Sequence, residues 1–81
     1  MEKSIFRVLH NGRYLGQARM LGKRVSYDTD KKAYGYFELL DDKWLREFRA
    51  IVYRLCRNTG HYGIYSIRQD LDSGIEVQRL I

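Results

Sequence analysis

Residues 43–57 constrain this chain more than any other stretch, because at about 100° per residue they separate into two nearly pure helical faces. Trp44, Leu45, Phe48, Ile51, Val52, Leu55 and Cys56 share one arc. Lys43, Arg46, Arg49, Tyr53, Arg54 and Arg57 share the other, interrupted only by Glu47 and Ala50. The spacing predicts a helix over 42–58, started by Asp41 or Asp42 as N-cap and stopped at Asn58-Thr59-Gly60, with glycine suited to a left-handed C-cap. Such a helix buries its apolar face against a second layer.

The flanking sequence supplies that layer. Ser4 to His10, Asn11-Gly12 and Arg13 to Met20 read as a hairpin over 4–20, since Asn-Gly readily takes the two positive φ angles of a type I′ turn. A regular ladder from that turn pairs Val8 with Leu15, Phe6 with Gln17, Leu9 with Tyr14 and Ile5 with Ala18. The face holding Ile5, Leu9, Tyr14, Ala18 and Met20 looks like the core side, with Arg7 as its exception. Arg24 to Asp28 and Ala33 to Leu40 read as a second strand pair over 24–40, turning at Thr29-Asp30-Lys31-Lys32. A C-terminal hairpin over 63–80 turns at Asp72-Ser73-Gly74, with Tyr65, Ile67, Leu71, Ile75, Val77 and Ile81 inward. The expected fold is therefore α+β: one domain over 1–81, a small antiparallel sheet of hairpins covered on one face by a single amphipathic helix.

Composition narrows the function classes. The 81 residues suit one small core, and the lone Cys56 forms no internal disulfide, which fits a cytoplasmic (intracellular) protein. No run approaches the roughly 18 apolar residues of a membrane span. The net charge of +5 is unevenly laid out: residues 1–27 hold six bases and one acid, 28–42 two bases and five acids, and 43–57 five bases and one acid. Cys56, His10 and His61 lack any paired metal-ligand spacing, and no nucleophile and base can be matched, so neither metal, cofactor nor enzymatic chemistry is expected.

Four of the five bases on the helix are arginines, whose planar guanidinium suits phosphate, and Tyr53 among them is placed to stack on a base or sugar. The expected contact set is Lys43, Arg46, Arg49, Tyr53, Arg54 and Arg57, with Arg13, Arg19, Lys23 and Arg24 from the first half of the chain, and the expected partner is DNA or RNA, held by its phosphates. Phe6, His10, Tyr34 and Tyr36, with the strand bases, offer a second route through the sheet surface. In size and in its one-helix-on-a-sheet format the chain resembles the small phage and mobile-element proteins that include anti-CRISPRs. That resemblance is one of format and carries no residue across. It implies an alternative: an inhibitor or adaptor seated on an acidic surface of a nucleic-acid-processing complex. A homodimer through a free sheet edge, including the C-terminal strand ending at Ile81, is also compatible with the pattern.

Overall fold

The computed structural model describes residues 3–35 and 42–81. Its elements are β1 (Lys3–His10), β2 (Arg13–Leu21), β3 (Arg24–Thr29), a 3-10 turn (Lys31–Ala33), α1 (Asp42–Thr59), β4 (Ile67–Asp70) and β5 (Ile75–Arg79). Among the described residues the strands form one antiparallel sheet in the order β3-β2-β1-β5-β4, with β5 inside the sheet and β3 and β4 at its edges. The expected α+β layering is present. The C-terminal strand, expected as a free edge, is instead flanked on both sides, by β1 and β4.

The first hairpin turns where expected, with Asn11 at φ 50° and Gly12 at φ 83°, and His10 lies opposite Arg13. The ladder then departs from regular pairing. Leu9 opposes Tyr14 but Val8 opposes Gly16, which makes Leu15 the extra residue of a β-bulge. One inserted residue moves all of β1 upstream of it to the other face. Phe6, not Ile5, stands opposite Ala18, and Phe6, Val8, Leu15 and Ala18 are fully buried. Ile5, Arg7, Leu9 and Tyr14 turn to the uncovered face, where Arg7 sits over the Tyr14 ring. The inward assignment expected for Ile5, Leu9 and Tyr14 is thus reversed. The bulge is held from outside: the Leu15 carbonyl accepts from the Tyr27 hydroxyl (2.8 Å) and from the Asp30 N–H (2.9 Å). Gly16, at φ 153°, lies so close to the Asp28 carbonyl that a β-carbon would collide with it.

β3 pairs with β2 through the tight reversal at Gly22-Lys23, and Lys31–Ala33, at the start of the strand expected to pair with Arg24–Asp28, forms a 3-10 turn instead. After Thr29 the Asp30 carboxylate accepts the Lys32 N–H (3.1 Å) and caps the 3-10 turn, an N-cap use of aspartate that competes with strand continuation. Ala33 is buried within that turn. The remainder of the expected strand, and the N-cap candidate Asp41, lie outside the described residues.

Helix α1 buries the arc read from the sequence. Phe48, Val52, Leu55 and Cys56 are buried, Trp44 and Ile51 pack at the margin, and Thr59 extends the buried row with its hydroxyl donating to the Leu55 carbonyl (2.7 Å). Trp44 stacks on Phe48 (5.3 Å between centroids), and Phe48 meets the Tyr27 ring edge-on at 5.2 Å. Gly60 is not among the left-handed residues expected of a C-cap. Its N–H continues the helical pattern to the Cys56 carbonyl (2.8 Å), and its missing side chain admits the Met20 methyl.

The C-terminal hairpin differs from expectation by one residue. Asp70 opposes Ile75, so the turn holds four residues, Leu71 to Gly74, not three. The Asp70 carboxylate accepts the Ser73 N–H (3.1 Å), and the Gly74 N–H, at φ 75°, returns to the Asp70 carbonyl (2.9 Å). Ile75 and Val77 remain inward, but Tyr65, Ile67, Leu71 and Ile81 are 70%, 53%, 84% and 55% exposed, against the expectation.

The bulge sets an order of stabilities that urea unfolding can check. Phe6→Ala should cost about 3–5 kcal/mol, the usual loss for a fully buried ring. Ile5→Ala on the uncovered face should cost about 1 kcal/mol or less. A regular ladder would reverse that order.

Candidate nucleic-acid interface

α1 lies across the sheet with its N-terminal end beside the β1–β2 turn, where His10 meets Trp44 edge-on (5.4 Å), and its C-terminal end beside the β2–β3 turn. Lys43, Arg46, Arg49, Arg54 and Arg57 are all exposed on its outer side. At 1.5 Å per residue, a band from Lys43 to Arg57 runs roughly 21 Å. The Arg57 Nε donates to the Lys23 carbonyl (3.4 Å), which sets the β2–β3 turn at the end of the band. Lys43, Arg46 and Arg49 make no ion pair with any described residue.

Other members of the expected set are spent or placed elsewhere. Arg54 binds Asp70 on β4 at 2.8 Å, and Arg19 binds Asp28 at 3.2 Å. Arg19 and Arg24 point to the uncovered sheet face, by their pairing with Ser26 and Leu21. Arg13 opposes His10 at the other end of the helix from Lys23. Tyr53 is half-buried against the core and does not stand out as a stacking ring. The structure therefore gathers Lys43, Arg46, Arg49, Arg57 and Lys23, sets Arg13 beside the N-terminal end of the band, and does not gather Arg19 and Arg24 with them. The aromatic sheet platform is not assembled: Phe6 is core, His10 packs on Trp44, Tyr34 follows the 3-10 turn, and Tyr36 lies outside the described residues.

Beyond Arg57 the band opens onto a cleft of about 380 Å³ lined by Met20, Gly22, Lys23, Arg57, Gly60 and His61. His61 also borders a neighbouring hollow of about 290 Å³ with Asn58, Tyr62 and Arg68, whose guanidinium lies 4.2 Å over the Tyr62 ring. Arg79 ties this segment down by donating to the Tyr62 carbonyl. Sequence reasoning missed the partners here. An inward Ile67 and Leu71 would set Asp70 on the outer face, yet its pairing with Ile75 places it under Arg54; the signal is the Asp70-x-x-Ser73 spacing of an aspartate-capped turn.

Burial holds two ionisable groups, the Cys56 thiol and the Tyr27 hydroxyl, in their protonated forms. Burial pushes the Cys56 thiol from 9.0 up to about 12, only partly offset by Arg57, and holds it protonated at neutral pH. Burial likewise raises the Tyr27 hydroxyl to about 12. Among the described residues no three of His, Cys, Asp or Glu converge as a metal-holding group. No helix among the described residues is long and apolar enough to cross a membrane. Compared with protein-family models, curated proteins and solved structures, the chain matches none.

Two outcomes follow from these environments. Cys56 should resist a disulfide-exchange reagent at neutral pH until denaturant is added. Because the folded chain keeps the Cys56 and Tyr27 protons where the unfolded chain releases them, stability should also decline as pH rises from about 9. Asp70 carries the opposite sign. Hydrogen bonds from Ser73, then the Arg54 guanidinium, hold its carboxyl below the usual aspartate range. Asp70→Asn should lower the Tm at pH 7, and the gap from the parent should close as pH falls through the depressed value, as followed by circular dichroism melts.

Proposed function

We propose that this chain is a non-enzymatic binding protein that holds DNA or RNA by its phosphates along the outer face of α1. The observation that carries this reading is the exposed band of Lys43, Arg46, Arg49 and Arg57, continued by Lys23, in which the first three cations have no acidic partner among the described residues. Unneutralised cations on a rigid helix gain by displacing counterions from a polyanion. Arginine adds a fork that grips two phosphate oxygens at once. Since Tyr53 is drawn toward the core, the band presents charge without an outward ring, which favours backbone contact over reading of bases.

The reading is tested by fluorescence anisotropy against labelled duplex DNA, single-stranded DNA and RNA. With about four phosphate contacts, affinity for duplex should fall on the order of a hundredfold between about 50 and 200 mM salt. Arg46→Glu with Arg49→Glu should remove most binding and flatten the salt slope by about two contacts. Asp28→Asn, on the far side of the sheet, should leave binding unchanged. Absence of binding to all three nucleic acids at low salt would overturn the proposal and redirect the band toward an acidic protein surface, as in the inhibitor or adaptor reading.

A further inference from the structure

Among the described residues β4 ends the sheet, a short strand whose outer rim has no strand paired to it. The Arg79 N–H donates to the Ser66 carbonyl (2.9 Å), and the alternation of an antiparallel ladder then aims the backbone groups of Arg68 and Asp70 at β5. Those of Ile67 and Gln69 point outward. Around them Ile64, Tyr65, Ile67 and Leu71 are all more than half exposed. The opposite edge is different in kind: β3 shows solvent Arg24, Ser26 and Asp28, while its Val25 and Tyr27 pack on the core. Clustered exposed apolar side chains beside unpaired backbone groups mark an interaction surface.

We infer that β4 pairs with β4 of a second copy of this chain, antiparallel, about a twofold axis at Gln69. In that register the two Gln69 residues exchange main-chain hydrogen bonds through the groups that point outward. Arg68 then faces Asp70 of the second copy twice on the helix side of the sheet, and on the other Ile67 comes twice beside Leu71, the first residue of the β4–β5 turn. Opposite charges and apolar pairs directly across an antiparallel ladder are both favourable. The adjacent in-phase registers are excluded by the same rule, because a twofold at Arg68 sets Arg68 on Arg68 and a twofold at Asp70 sets Asp70 on Asp70. Of these three registers the strand is complementary to itself only with the axis at Gln69, and self-complementarity is the requirement of an isologous contact. An axis perpendicular to the sheet also leaves both α1 helices on the same side. This inference stands on the β4 rim and is independent of the nucleic-acid reading.

Sedimentation velocity at tens of micromolar protein, without nucleic acid, should give twice the 9.7 kDa chain mass. Gln69→Pro deletes an outward N–H without touching a β4–β5 bond, and should give a monomer with an unchanged circular dichroism spectrum. Arg68→Asp, which sets acid against Asp70, should weaken the dimer at least tenfold while Ser26→Lys on β3 leaves it intact. Gln69→Cys tests the register directly, since residues facing each other as a hydrogen-bonded pair sit about 5.5 Å apart at Cα, within disulfide reach. Mild oxidation should link it into a dimer, whereas Ser26→Cys should stay unlinked. A parent protein that stays monomeric, a dimer that survives Gln69→Pro, or cross-linking through Ser26→Cys in place of Gln69→Cys would each overturn the inference.

Discussion

The extra residue at Leu15 decides which side of the sheet becomes the core. Without it β1 would offer Ile5, Arg7 and Leu9 to the helix; with it the helix meets Phe6 and Val8, and no charged group of β1 is buried. The arrangement is mutually supporting. The Leu15 carbonyl, turned out of the β1–β2 ladder, is taken by the Tyr27 hydroxyl and the Asp30 N–H, so β3 and the following turn are anchored to the same irregularity. Tyr27 in turn braces Phe48, and Phe48 carries Trp44. A chain of contacts thus runs from one bulge, through the edge strand, to the first turns of α1, and the outward bearing of the cationic band depends on it.

What the sequence made legible was the helix. Seven apolar positions at helical spacing place themselves, and each of Trp44, Leu45, Phe48, Ile51, Val52, Leu55 and Cys56 is at least half-buried in the fold. Strand parity was harder, since a strand repeats every two residues and a single inserted residue exchanges its faces. That happened twice. In the first hairpin Leu15 is the insertion; in the last, the Asp70–Ser73 hydrogen bond lengthens the turn by one residue and exposes Ile67 and Leu71. β1 carries apolar residues of either parity and β4 only Ile67, so pattern alone favours no register. Tertiary partners settle it, Tyr27 in one case and the capped turn in the other.

The same distinction applies to charge. The sequence shows where the bases are but not which of them meet an acid after folding. Arg19 and Arg54 lose their outward reach to Asp28 and Asp70, two acids from different parts of the chain, while Lys43, Arg46 and Arg49 acquire no such neighbour among the described residues. Ion pairs that lie in solvent contribute little to stability. Their effect here is one of address: they quiet the flank of α1 above β4 and leave the positive potential on the crest and the β3 side.

The position of β5 has a consequence for how this fold is reached. It follows β1 to β4 in the chain, yet it sits inside the sheet, between β1 and β4. Until it arrives, β1 presents an open edge and α1 lacks Ile75 and Val77, two side chains of its floor. Closing that gap joins residues almost a full chain length apart, the kind of contact that slows folding. The nascent protein must therefore pass through a stage in which β1, the central strand, is paired on one side only and its apolar face is incompletely covered.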